Sequence, residues 1–125
     1  MIGILRWTLL VGLGAALTVV SWLSDAHAVQ LHVRESTPTA NAIIQGRHAE
    51  YVIRFDGPVD HAASIIEITQ SGHVVQSLSP RLDSAVDVLF ASGEAPAPGR
   101  YQLHWETRSL DGEVSRGDIP FSVAP

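Results

Sequence analysis

The sequence contains no cysteine and no lysine, and its only methionine is the initiator. Without cysteine the chain can form neither disulfide bonds nor thiolate metal sites. All 8 basic residues are therefore arginine, against 13 acidic residues, and the formal net charge is −5. This acidic balance argues against binding to nucleic acid or to anionic membrane surfaces. A small domain of this composition must rely on sheet pairing and core packing for its stability.

A long apolar stretch lies at the N-terminus. Arg6 is its only early charge, the apolar run extends from Trp7 to Leu23, and Ala26-His27-Ala28 follows. This order of charge, apolar run and small-x-small site is typical of a secretory signal peptide. We therefore expect residues 1–28 to be a signal peptide and residues 29–125 to form one mature domain. The alternative is an uncleaved membrane anchor, because the run is nearly long enough to span a bilayer. Either way, the domain is expected to work outside the cytoplasm.

Apolar and polar residues alternate through most of the chain after residue 28. Such alternation places one face of each strand on a core and the other toward water. Turn-forming residues separate the runs, among them Gly57-Pro58 and Ser71-Gly72. The pattern predicts an all-β domain, a small antiparallel Greek-key β-sandwich or barrel of about seven strands, immunoglobulin-like in architecture. The alternating apolar positions are Leu31 and Val33; Tyr51, Ile53 and Phe55; Ile66 and Ile68; Val86, Val88 and Phe90; Tyr101, Leu103 and Trp105; and Ile119, Phe121 and Val123.

Two acidic residues lie between the last two predicted strands, in the sequence Ser-Leu-Asp-Gly-Glu-Val at residues 109–114. An Asp-Gly pair between alternating runs is typical of a type I′ hairpin turn, and backbone conformation alone can explain it. Asp111 and Glu113 could also face a metal ion. The residues by themselves leave both interpretations open.

Several short motifs follow one another in a fixed order along the chain. They are Ser36-Thr37-Pro38, Ile53-Arg54-Phe55-x-x-Pro58-Val59, Pro98-Gly99-x-Tyr101-x-Leu103-x-Trp105, Ser109-x-Asp111-Gly112, Ser115-x-Gly117 and Phe121-x-Val123. In this order and spacing they resemble the CopC-type periplasmic copper-resistance proteins over essentially all of 29–125. The resemblance implies a Greek-key β-fold of about seven strands, export to the periplasm, and copper homeostasis or resistance carried out by binding.

The resemblance also implies a Cu(II) site, and here the sequence departs from the family. Family members place a His at the mature N-terminus, a position that falls near Gln30 in this chain. They use an Asp-x-His pair in the last loop, where this chain keeps Asp111 but has Glu113 instead of His. Some members add a carboxylate after the second strand, where Asp56 is nearby. The methionine-rich Cu(I) segment of some members is missing.

His32 is the best substitute donor, since it lies on the same strand face as Gln30, about 6–7 Å away. Because Cu(II) prefers imidazole to carboxylate, Glu113 should weaken the site and shift it toward harder cations. We expect copper, as Cu(II), to bind a mixed nitrogen and oxygen site of His32, Asp56, Asp111 and Glu113. The resemblance implies a CopD-type membrane copper transporter as partner. The alternative is a β-sandwich that has lost metal binding and serves as an interaction module for a membrane or periplasmic partner.

Catalysis has no support in the sequence. The chain has no Cys nucleophile, no Gly-x-Ser-x-Gly elbow and no glycine-rich phosphate loop before a helix. The remaining histidines of the predicted domain lack His-x-His or His-x₃-His spacing and are interpreted as surface residues: His48, His61, His73 and His104. We therefore expect a binding protein and not an enzyme.

Overall fold

The computed structural model describes residues 30–125. The predicted signal peptide lies outside the described residues. The strands are β1 (Val33–Thr37), β2 (Ala42–Ile44), β3 (His48–Phe55), β4 (Ile65–Gln70), β5 (His73–Leu78), β6 (Val88–Glu94), β7 (Gly99–Arg108) and β8 (Val114–Val123), with a short 3-10 turn at His61–Ala63. Within residues 30–125, no helix is long and apolar enough to cross a membrane.

The strands form two sheets. One has three strands in the order β1-β3-β6, and the other has five in the order β2-β8-β7-β4-β5. Every pairing is antiparallel except that of β2 with β8, which is parallel. The predicted antiparallel, immunoglobulin-like β-sandwich is confirmed. The described chain has one strand more than the predicted number of about seven, because β2 is too short to show an alternating pattern.

A single apolar core fills the space between the two sheets. Its buried residues are Leu31, Ala49, Tyr51, Ile53, Phe55, Val59, Ile66, Ile68, Leu89, Ala91, Tyr101, Leu103, Trp105, Ile119, Phe121 and Val123. Phe55 of the smaller sheet meets Trp105 of the larger one edge to face, with ring centroids 4.9 Å apart. Such aromatic pairs add to the stabilisation from burial alone. Most core positions are those that the alternation predicts.

Two strands depart from the predicted pattern. In β6, Leu89 and Ala91 are buried, whereas Val88 and Phe90 lie half-buried on the outer face. The Arg81 guanidinium lies over the Phe90 ring, 5.8 Å from its centroid, and so covers this apolar surface. In β1, Val33 is exposed, because the pairing with β3 shifts in register just after it. Val86, just before β6, is also exposed. The predictions that Val33, Val86, Val88 and Phe90 face the core are therefore wrong.

Two small residues of β8 explain the Ser115-x-Gly117 motif. Gly117 lies opposite Trp105 on β7, and a Cβ on Gly117 would come within 2.7 Å of the Trp105 ring. The absence of a side chain therefore makes room for the indole. Ser115 is buried, and its hydroxyl accepts a hydrogen bond of 2.9 Å from the Leu31 backbone N–H. This contact holds the start of the described chain against β8.

Candidate metal centre

Three segments meet at one end of the sandwich: the start of the described chain, the turn after β3, and the loop between β7 and β8. Val59 forms an isolated bridge with Ser109, and the Asp60 backbone N–H donates to the Arg108 carbonyl at 2.9 Å. The segments border a cavity of about 320 Å³ that is open to solvent. Its lining residues are Gln30, Leu31, Asp56, Gly57, Pro58, Ser109, Leu110 and Asp111. Asp56 and Asp111, separated by 55 positions in the sequence (111 − 56), thus line the same cavity.

His32 lies directly against Asp56. The His32 backbone N–H donates to Asp56 Oδ1 at 2.9 Å, and the Asp56 N–H donates back to the His32 carbonyl at 3.0 Å. The His32 ring nitrogen Nδ1 lies 3.1 Å from Asp56 Oδ2. Two hydrogen bonds lower the pKa of the Asp56 carboxyl below its ordinary value. The larger effect comes from the His32 backbone N–H and the smaller one from the His32 ring. Asp56 is therefore a carboxylate at neutral pH.

The second ring nitrogen of His32 is accessible. The His32 side chain is 73% exposed. Of its two ring nitrogens, only Nδ1 has a hydrogen-bond partner within residues 30–125. When Nδ1 carries the proton shared with Asp56, Nε2 presents a free lone pair. Metal-binding histidines commonly have a carboxylate on the nitrogen that does not bind the metal. The pair therefore has the arrangement of one imidazole ligand oriented by an acid.

The Ser109 side chain organises the loop that carries Asp111 and Glu113. Its hydroxyl donates to Asp111 Oδ1 and accepts a hydrogen bond of 3.2 Å from the Glu113 N–H. The Gly112 N–H donates to the Ser109 carbonyl at 2.9 Å, which closes a turn. The predicted hairpin is confirmed, but the predicted type I′ turn is wrong. Gly112 is the only residue of this loop with positive φ, and type I′ needs positive φ at both central positions.

The four predicted ligands are only partly brought together. Asp56 and Asp111 share the cavity and His32 contacts Asp56, whereas Glu113 does not belong to the cavity lining. Among residues 30–125, no group of three or more histidine and acidic side chains lies close enough to hold a metal ion. Metal binding by His32, Asp56, Asp111 and Glu113 stays a prediction.

A second histidine–carboxylate cluster lies on the outer face of the five-stranded sheet. His104 Nδ1 is 3.0 Å from Asp118 Oδ1, and His104 Nε2 is 3.2 Å from Glu106 Oε2. Burial lowers the pKa of His104, but its hydrogen bonds to Glu106 and Asp118 outweigh this and raise the pKa above the ordinary value. Because the two ring nitrogens point in opposite directions and each meets a carboxylate, the cluster cannot converge on one metal ion.

Sequence reasoning missed the partners of two histidines. The placement of His104 on an outward face is as predicted, but its side chain is only 20% exposed. Its contact with Asp118 depends on the β7–β8 register, in which the two residues are directly opposite. His61 Nε2 lies 3.0 Å from the Ala85 carbonyl and 2.9 Å from the Val88 carbonyl, and so holds the segment before β6. No local spacing signals either contact.

Comparisons with known proteins agree with this fold. The family model described as "CopC domain" matches residues 33–124. The crystal structure of CopC from Methylosinus trichosporium OB3b is similar at 27% identity and a TM-score of 0.62, covering 76% of this chain and 94% of that one. PcoC, a methionine-rich copper resistance protein from Escherichia coli, shares the fold at 16% identity and a TM-score of 0.60, covering 76% of this chain and 99% of that one. No curated protein matches the chain.

Proposed function

Because this chain belongs to the CopC domain family, we propose that it is a periplasmic copper-binding protein of copper homeostasis or resistance, with an altered Cu(II) site. Copper is then its cargo and not a cofactor for catalysis. The observation that carries the proposal is the cavity shared by Asp56 and Asp111, with His32 hydrogen-bonded to Asp56 at its edge. Gln30, close to the predicted N-terminus of the mature domain, also lines this cavity, which supports a role for that N-terminus in binding.

The residues around the cavity fit a weakened copper site. Carboxylates of Asp56 and Asp111 are hard oxygen donors, and Cu(II) binds imidazole better. Among residues 30–125, His32 is the histidine next to the cavity, and its exposed side chain makes Nε2 available as an imidazole donor. We assign His32 and Asp111 as ligands, and Asp56 as the carboxylate that fixes the His32 ring. A free N-terminal amine near Gln30 completes the donor set if the signal peptide is removed.

The proposed partner is a CopD-type membrane copper transporter, which receives the ion. A second function, an interaction module that binds no metal, is favoured by one observation. Within residues 30–125, there is no place where three or more histidine, aspartate or glutamate side chains lie close enough together to hold a metal ion. The two functions differ in one measurable quantity, the affinity of the protein for Cu(II).

The test is a competition titration with Cu(II) on protein purified from the periplasm, its N-terminus determined by mass spectrometry. Asp111→Asn keeps the loop size and removes a ligand charge, so we expect Cu(II) affinity to fall about tenfold or more. Glu50→Gln is the matched control, because Glu50 is an exposed acid on β3 away from the cavity lining. Equal affinities for the two variants would contradict the site. Absence of binding by the unmodified protein would support the interaction module.

A further inference from the structure

A larger concavity lies at the other end of β7. Its volume is about 780 Å³, and it crosses the outer face of the five-stranded sheet as a trough. Its lining residues are Asn41, Ile43, Thr69, Gln70, Ser71, Gly72, Arg100, Tyr101, Gln102, Pro120, Phe121 and Ser122. Arg100 of the trough and Ser109 of the metal cavity are about 30 Å apart at the rise of an extended strand. The two cavities share no residue.

Both walls of the trough are attached to its floor. On one side, the Asn41 backbone N–H donates to the Pro120 carbonyl at 2.6 Å. On the other side, the Gln70 side-chain amide donates to the Arg100 carbonyl at 3.2 Å and holds the β4–β5 turn. The trough is therefore formed before any ligand arrives, which reduces the entropic cost of binding.

Among residues 30–125, Arg100 is the only charged residue in the lining, although the chain as a whole is acidic. Of the six other arginines in residues 30–125, three are paired with nearby acids, in the pairs Arg54–Glu35, Arg81–Asp83 and Arg116–Glu106. The other three lie outside the trough lining. Arg100 is exposed, and its guanidinium forms no salt bridge with another residue of 30–125. An unpaired guanidinium is well suited to bind a carboxylate through two parallel hydrogen bonds.

The trough floor around Arg100 combines neutral polar side chains with two apolar residues, Ile43 and Pro120. Ser122 on β8 is directly opposite Arg100 on β7. Two residues further along β7, Gln102 is directly opposite Thr69 on β4. Hydroxyl and amide groups both donate and accept hydrogen bonds, so they suit a ligand that carries hydroxyl groups. A second carboxylate on the ligand would find no cation in the lining and would be repelled by the net negative charge.

We infer that this trough binds hydroxyl-rich monocarboxylates, the chemical class of the sugar acids. The ligand carboxylate pairs with Arg100, and its hydroxyl groups bond to Ser122, Gln102 and Thr69. The inference does not depend on copper binding, because the trough is separate from the metal cavity.

The experiment is an NMR titration of the copper-free protein with D-glucuronate as the probe. We expect amide shifts at Thr69, Gln102 and Ser122, with a dissociation constant of about 1 mM or lower. Arg100→Gln is expected to weaken binding about tenfold or more, which corresponds to about 1.4 kcal/mol. Arg108→Gln, at the other exposed end of β7, is the matched control and is expected to bind like the parent.

Two further ligands test the chemical class. D-glucose lacks the carboxylate and acetate lacks the hydroxyl groups, and each is expected to bind about tenfold more weakly than D-glucuronate or worse. Equal binding of glucose would overturn the role of Arg100, and equal binding of acetate would overturn the role of the hydroxyl groups. The inference is also overturned if D-glucuronate causes no shifts in the trough, or if Arg100→Gln leaves its binding unchanged.

Discussion

His32 and His104 each contact a carboxylate, but they differ in whether a ring nitrogen stays free for a ligand. His32 precedes β1 at the end of the sandwich, and only its Nδ1 is engaged, by Asp56. His104 lies within β7, and both of its ring nitrogens meet carboxylates, those of Asp118 and Glu106. The first side chain is largely exposed and the second is mostly covered.

The difference shows that a histidine beside an acid does not by itself make a metal site. A single carboxylate on one nitrogen orients the ring and leaves the other nitrogen for a ligand. When carboxylates occupy both nitrogens, neither nitrogen is free to bind a metal ion, and the contact instead links neighbouring strands. On this argument the His32 contact fits the proposed copper site, and the His104 contact links strands of the larger sheet.

The largest expected effect comes from removing each imidazole in turn. His32→Ala deletes the proposed nitrogen ligand, so we expect Cu(II) affinity to fall about 100-fold. His104→Ala is the matched control and is expected to leave the affinity unchanged. Competition titration measures both variants. A comparable loss in the two variants would remove the distinction between the two contacts.

A smaller effect is expected from the acid that orients His32. Asp56→Asn keeps the size of the side chain but weakens its hydrogen bond to the His32 ring. We expect Cu(II) affinity to fall about tenfold, as is common when the hydrogen-bonding partner of a ligand is altered. The same titration checks this, with Asp118→Asn, the corresponding change beside His104, as control. Full affinity in Asp56→Asn would mean that Asp56 does not orient the ring.

A gain of binding is expected at position 113. Glu113→His introduces an imidazole two residues beyond Asp111, which restores the Asp-x-His pair of the family that the chain resembles. Since Cu(II) prefers imidazole to carboxylate, we expect tighter binding by a few-fold. Glu113→Gln, which adds no imidazole, serves as control. Unchanged binding by the His variant would contradict this expectation and would show that residue 113 does not reach the ion.

The smallest effect concerns the His104 cluster and appears in stability. A histidine with a raised pKa stabilises the fold fully below its unfolded pKa, and this contribution is lost as pH rises through its folded pKa. Glu67 on β4, Glu106 on β7 and Asp118 and Arg116 on β8 are the charged groups around it.

We therefore expect His104→Gln to cost about 1 kcal/mol or less at pH 5, and less still at pH 8. Urea unfolding at the two pH values measures this difference between the variant and the parent. A cost that grows from pH 5 to pH 8 would contradict the assignment of His104 as a charged link between the carboxylates.

Local alternation predicted most of the core, because burial on one strand face has a period of two residues. Alternation could not identify the buried face of β6, because Val88, Leu89 and Phe90 are all apolar. The sequence is compatible with burial of Leu89 or with burial of Val88 and Phe90. The structure selects Leu89, and Arg81 covers Phe90 on the other side. Such a choice depends on a residue outside the strand, so the strand sequence cannot reveal it.

The sequence suggested which residues could form the candidate site, but it did not predict the contacts between them. Resemblance to a family pointed to Asp111 and Asp56, and these two residues line one cavity. Their role in metal binding stays a prediction. The role of Asp56 as a partner of His32 depends on a contact between residues 24 positions apart. The hairpin loop likewise depends on the Ser109 hydroxyl, which binds Asp111 and the Glu113 backbone. Side-chain hydrogen bonds of this kind have no period and leave no local pattern.

The role of His32 as a copper ligand is tested most directly by pulsed EPR of the Cu(II)-loaded protein, which detects imidazole nitrogen bound to the ion. We expect an imidazole signal in the parent protein and in His104→Ala, and its loss in His32→Ala. An imidazole signal that persists in His32→Ala, or that disappears in His104→Ala, would contradict the assignment of His32 as the nitrogen ligand.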